Sequence, residues 1–133
     1  LNRRSIKLNP YSKTILAWLK SNKIKTSIVT SKDFIRTTQL VEMFDIYIDL
    51  IVTPELTKKG KPHPAPILHA AKVLDIQLNE TIFIGDMHSD MKCAQSAGCY
   101  YLHYLPGYQA KVDNIYGGSI TSLLEIKEYI SNF

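Results

Sequence analysis

Residues 81–98 read TIFIGDMHSDMKCAQSAG, and within them Gly85-Asp86-Met87-His88-Ser89-Asp90 sets two carboxylates four positions apart where an apolar run gives way to a helical pattern. Acids so placed suit a hard divalent cation such as Mg2+, which takes oxygen ligands and is held by one or two carboxylates plus water and substrate oxygens. The plainer reading of Ser89 and Asp90 is a helix cap, since negative charge near a helix N-terminus contributes ~0.3 to 1 kcal/mol. Two other polar clusters follow apolar runs: SIVTSK, with Thr30 and Ser31, and TKKGKPHP, with Lys61. A hydroxyl and an ammonium at one site suit a phosphate, the hydroxyl donating to a phosphoryl oxygen and the lysine neutralising charge that grows in a transition state. His63, His69, His88 and His103 have no metal-binding spacing and read as surface or satisfied core, with His88 set apart by its place in the acidic loop. Cys93 and Cys99 fit neither a zinc nor a redox motif and read as reduced thiols.

The elements that must position these residues alternate. Ile15, Leu16, Trp18 and Leu19 form a helical stripe after Pro10, so a helix is predicted over about 12–21. Residues 25–30 predict a short strand, and Ser31-Lys32-Asp33 supplies capping chemistry for a helix to about Phe44. A second strand is predicted over 47–53, closed by Pro54 and a polar loop, then a helix over 65–74 and a third strand over 81–84. A helix over 89–97 closed by Gly98, a strand over 100–105, an extended piece near 114–116, then Gly117-Gly118-Ser119 and a helix over 121–130 complete the series. Such alternation predicts an α/β fold, a parallel sheet flanked by helices. Ligands in such folds bind beyond the carboxyl ends of the strands, where Thr30, Thr53 to Lys61, Gly85-Asp86 and Leu105-Pro106-Gly107 would all lie.

Composition sets the bounds. With 133 residues, 45% of them hydrophobic and 21% charged, the chain reads as one soluble domain. Its net charge of +4 is scattered, which argues against nucleic-acid binding. No apolar run approaches the ~20 residues of a membrane span and no signal peptide opens the sequence, so a cytoplasmic setting is expected, in keeping with reduced cysteines. The tyrosines of CYYLHYLPGY read as strand and rim packing.

Taken together, SIVTSK, GKPHPAPILHAAKVL and FIGDMHSDMKCAQSAG resemble, in that order and at that spacing, three motifs of the haloacid dehalogenase (HAD) superfamily, specifically its phosphoglycolate phosphatase-like branch. The resemblance runs from about Leu8 to the C-terminus, with residues 1–7 as a remnant of a cap linker or tail and 8–133 as the HAD-like core domain. Leu8-Asn9-Pro10-Tyr11 is similar to the segment that returns from the family's cap domain. The resemblance implies a Rossmann-like core and Mg2+-dependent hydrolysis of a small phosphorylated metabolite through an aspartyl-phosphate. It implies Asp86 as a metal ligand, Asp90 as a second acid that ligates the metal or orients Asp86, Thr30 and Ser31 on the phosphoryl group, and Lys61 on its charge. Gly85 would allow the tight turn beside the metal.

One motif of the family is missing. The nucleophile and the acid/base belong to an Asp-x-Asp at the end of the first, central strand, and no Asp-x-Asp occurs anywhere in this sequence. The nearest acids, Asp45 and Asp49 in FDIYID, are four apart and border a strand already assigned. Loss of that strand would leave unpaired backbone groups in the sheet, at roughly 1 to 3 kcal/mol each. Because Leu1 is not a start residue, the expectation is an upstream segment that supplies the strand. Direct pairing of its two neighbours, or donation by a second chain, would also close the gap. The chain alone is thus expected to be inactive. The alternative is a non-catalytic HAD-fold binding or assembly module, such as a homodimer that repairs its own sheet.

Overall fold

The computed structural model describes residues 8–105 and 116–131. In chain order these form α1 (Ser12–Ser21), β1 (Ser27–Val29), α2 (Phe34–Phe44), β2 (Leu50–Val52), α3 (Pro54–Thr57), α4 (Ala65–Leu74), β3 (Ile82–Gly85), α5 (His88–Ala97), β4 (Tyr100–Tyr104), β5 (Gly118–Ile120) and α6 (Ile126–Ser131). Short 3-10 turns at Leu78–Glu80 and Leu123–Glu125 precede β3 and α6.

Local chemistry accounts for the boundaries. The α2 helix starts where the Asp33 carboxylate accepts the Arg36 amide at 2.8 Å, and it ends as Asp45 turns left-handed. Gly98, at φ 80°, closes α5 in the conformation that a glycine adopts without cost. The β2 strand is shorter than the 47–53 predicted, because Tyr47 and Asp49 are drawn into a local network. Asp49 accepts the Thr26 amide at 2.8 Å and the Tyr47 hydroxyl at 2.9 Å. These bonds hold its carboxyl below the usual carboxylate range, the Thr26 amide contributing most. Asp49 therefore works at the amino end of β1 and β2, opposite the edge where a nucleophile would be needed.

Two expectations for the tail are corrected. A strand lies at Gly118–Ile120, where none was expected, while Asn114 and Ile115 of the extended piece expected near 114–116 fall outside the described residues. Gly117 turns the chain at φ 84°, and Gly118 opens the strand, facing Leu102 across the ladder, where a Cβ would press on the Tyr129 hydroxyl at 3.1 Å. The final helix begins only at Ile126, because Ser122 and Glu125 form a capping box around the preceding 3-10 turn. The polar loop after Pro54 likewise holds a one-turn helix, with Pro54 at its first position, where a missing amide is harmless.

All strand pairs are parallel, in two separate sheets: β1 with β2, and β3-β4-β5. Odd-numbered residues of β3 and β4 face one helical layer. Phe83 and Tyr101, with Cys99 beside them, pack with Ile67 of α4 and with Met91, Cys93, Ala94 and Ala97 of α5. Even-numbered residues face the other layer, where Leu102, Tyr104 and Ile120 enclose Ile15 and Leu19 of α1 and Ile126. Each such side chain contributes roughly 1.5 to 3 kcal/mol on burial, so both faces of the three-stranded sheet are strongly specified.

The helical layer is continuous where the strand layer is not. The α4 helix packs on β1, β2 and α5, and α5 packs on β3 and β4, yet β1 and β3 exchange no ladder hydrogen bonds. Both strands are only half-buried despite their apolar sequences. Among the described residues, direct pairing of these two strands therefore does not close the sheet. The alternating strands and helices are those of the expected α/β, Rossmann-like HAD core, with the break where its central strand was expected to be missing.

Candidate active site at the carboxyl edge of the strands

The site is built from the loops that leave β1, β2 and β3. Thr30 follows β1 directly, and its amide still donates to the Val52 carbonyl at 3.1 Å, which fixes the residue at the sheet edge. Its hydroxyl oxygen accepts the Lys32 amide at 3.1 Å, leaving the hydroxyl proton free to donate elsewhere. Thr30, Ser31, Thr53, Lys61 and Ser89 all line one cavity of about 200 Å3. A larger hollow of about 310 Å3 lies at the opposite, amino edge among Asn79, Ile82, Tyr100 and Tyr129, and no charged residue lines it.

After β3 the chain turns sharply over Gly85. A Cβ at this position would fall on the Cβ and carboxyl group of Asp90, so only glycine allows the acid to sit beneath the turn. Asp90 is buried, and its Oδ2 accepts the amides of Asp86 and Met87 at 3.1 Å each. Its Oδ1 lies 2.6 Å from Lys61 Nζ. This carboxylate holds the turn through Oδ2, while the buried Oδ1 meets the Lys61 ammonium as an ion pair and takes no hydrogen bond among the described residues. The Asp86 side chain is exposed, and no hydrogen bond or ion pair to its carboxylate occurs among the described residues.

Below the turn the strands carry a second polar pair. His103 is in register with Gly85, and its Nδ1 is 2.7 Å from the hydroxyl of Tyr101, both residues being buried. Burial pushes the Tyr101 hydroxyl far above its ordinary range, and the charges of Asp90 and Asp86 add to that. His103 is thus a satisfied core histidine, while His63 accepts the Ala65 amide on its Nδ1 at 3.0 Å. His88 is exposed at the start of α5. Both cysteines are free and buried. Pro106 and Gly107, expected at the same edge, lie outside the described residues, as do residues 1–7.

The sequence of the haloacid dehalogenase-like hydrolase family matches residues 1–103 of this chain. The chain belongs to that family. The chain is 36% identical over 121 residues to a phosphoglycolate phosphatase of Nitrosococcus oceani, a match that covers 87% of the chain and 54% of that protein. It is 37% identical over 86 residues to the pyrophosphatase PpaX of Bacillus mycoides, covering 60% of the chain and 38% of that protein. The chain thus spans about half the length of the curated relatives it matches. A HAD-superfamily hydrolase from Ehrlichia chaffeensis, at 29% identity, superposes with a TM-score of 0.80 over 96% of this chain and 60% of its own. A HAD phosphatase from Thermococcus onnurineus shares the fold at a TM-score of 0.83, with 24% identity.

In this family member, then, the structure gathers Thr30, Ser31 and Lys61 about one cavity, with Asp90 on Lys61 and Asp86 in the turn beside it. Thr53, 2% exposed, lines the same cavity. Its place at the end of the second strand was legible, but nothing in a lone threonine marks it as part of a site. The contact of Cys93 with the His63 carbonyl was not legible at all.

Proposed function

We propose that the complete protein is a Mg2+-dependent phosphomonoesterase acting on a small phosphorylated metabolite, with this chain providing the electrostatic half of its active site. The observation that carries the reading is the arrangement of Lys61, Asp90 and the Gly85 turn beside the cavity that Thr30 lines. Lys61 holds positive charge where a phosphoryl group would enter, and Asp90 keeps that charge in place. The Thr30 hydroxyl donates to a phosphoryl oxygen, and Ser31 adds a second donor at the same wall.

The residues present fit a magnesium ion in part. Asp86 offers one exposed carboxylate without a protein partner, and a Mg2+ site needs only one or two carboxylates. Asp90 orients the Asp86 turn through Oδ2, and its Oδ1, buried beside Lys61 without a hydrogen-bond partner among the described residues, is the other carboxylate oxygen at this edge. Among the described residues no three His, Cys, Asp or Glu side chains gather to hold a metal by themselves. When bound, Mg2+ would supply a charge that neutralises phosphoryl oxygens.

No Asp-x-Asp occurs in the sequence to supply the attacking carboxylate. In the complete protein we place it on a strand between β1 and β3, supplied by a segment upstream of the core, where it would form the aspartyl-phosphate. The unpaired edges of β1 and β3 support that placement. The core domain is taken as residues 8–133, in a cytoplasmic protein, and no helix among the described residues is long and apolar enough to cross a membrane. A protein carrying such a segment should hydrolyse p-nitrophenyl phosphate with Mg2+, and Asp86→Asn should abolish the reaction. Hydrolysis indifferent to both chelator and Asp86→Asn would refute the metal assignment.

A further inference from the structure

The loop that carries Lys61 touches α5 at two points. The first is the ion pair of Lys61 Nζ with Asp90 Oδ1 at 2.6 Å. The second lies three residues further along the same face of α5, where Cys93, fully buried, donates its Sγ–H to the His63 carbonyl at 3.1 Å. Between these points the loop is tightly folded, since the His63 amide donates to the Gly60 carbonyl at 3.0 Å and the Ala65 amide to His63 Nδ1 at 3.0 Å. Residues 60–65 therefore form one compact unit with a charged contact at one end and a thiol contact at the other.

We infer that Cys93 is a positioning residue for Lys61, acting through the His63 carbonyl. It rests on the reading of Lys61 as the cation that meets phosphoryl charge. A lysine reaches its target through four flexible methylenes, so the place of its ammonium depends on how firmly its backbone is held. With Cys93 in place the loop is pinned to a helix already locked by core packing on Ile67 and Tyr101. Without the thiol, the Nζ–Asp90 pair would be the remaining polar tie from residues 60–63 to α5, the loop being anchored beyond it only where Ile67 of α4 enters the core, and the ammonium would gain freedom to move from the cavity. The thiol serves here as a donor and not as a nucleophile. Burial raises its pKa to about 11, though Lys61 acts in the opposite sense, so it keeps its proton at neutral pH.

The test uses the 133-residue chain and the NMR signals of the Lys61 ε-methylene, assigned by their loss in Lys61→Met. In Cys93→Ala and Cys93→Val, which lack a donor, these signals should lose at least half, roughly, of their displacement from free lysine. In Cys93→Ser, which restores a donor, they should stay near the original position. Unchanged Lys61 signals in a folded Ala or Val variant would overturn the inference. The unsubstituted chain supplies a check that needs no variant: its infrared spectrum should show two S–H bands, the lower from Cys93 and the higher from Cys99, whose Sγ is 3.9 Å from the Ala94 carbonyl. A single band at the free-thiol position overturns it equally. In an active full-length protein, Cys93→Ala should lower kcat roughly three- to tenfold, with partial rescue by Ser, as expected for a displaced charge. If the unsubstituted full-length protein has no phosphatase activity, the reading of the site fails while the NMR result still decides the role of Cys93.

Discussion

Lys61 Nζ lies 2.6 Å from Asp90 Oδ1, while the other oxygen of Asp90 binds the two amides that follow Gly85. One buried carboxylate thereby joins two loops that arrive from different strands, so the position of the cation and the shape of the acidic turn are set together. Chemistry proposed for Asp86 therefore depends on Lys61, and the reverse.

Removing one member of this pair should destabilise the chain. Lys61→Met leaves Asp90, 4% exposed, with two amide donors but no cation. Its expected cost is about 1 to 3 kcal/mol in urea unfolding, below the usual figure for a fully buried pair because the lysine side chain is one-fifth exposed. Asp90→Asn with Lys61→Met should cost less than the sum of the two single changes. Strict additivity would mean that the two residues do not act as a pair.

Gly85→Ala probes the turn itself. The added methyl must occupy the space of the Asp90 side chain, so either the acid moves or the backbone does. We expect a loss of about 1 to 3 kcal/mol, as for overpacking, together with loss of protection from hydrogen exchange at the Asp86 and Met87 amides. A stable Ala variant with both amides still protected would show that the turn has room the structure does not reveal.

The cysteines give a pH dependence of defined sign. Burial raises both thiols from an ordinary 9 to about 11. The folded chain therefore holds their protons more firmly than the unfolded one, and the associated stability is complete below pH 9 and lost as pH rises through 11. Urea midpoints should fall between pH 9 and 11, and Cys93→Ser with Cys99→Ser should flatten that part of the profile. An equal decline in the double variant would place the effect on other groups.

The order of elements was legible from periodicity because each helix shows an apolar face and each long strand is bounded by breakers. What failed was local. The short β2 begins only after Asp49, which turns to the Thr26 amide, and β5 starts at Gly118, whose lack of a side chain makes room for Tyr129, 11 residues further along the sequence. Such contacts across the fold leave no periodic trace. That Thr30, Lys61 and Asp90 would meet at one edge was legible from three motifs in family order, since Thr30 alone follows a strand directly while Lys61 lies in a loop and Asp90 in a helix. The double engagement of Asp90 was not, since a sequence cannot say which oxygen of an acid is already taken. The division of the strands was foreseen from a missing motif and not from any residue present.

The central claim is that this chain holds the charge-stabilising half of a phosphatase site whose nucleophile comes from elsewhere. The most direct measurement is turnover of p-nitrophenyl phosphate with Mg2+ by the purified 133-residue chain, beside the same chain extended by an upstream segment that carries an Asp-x-Asp strand. The account expects no turnover above background for the first and Mg2+-dependent turnover for the second. Turnover of about 1 per second or more by the 133-residue chain alone would contradict it.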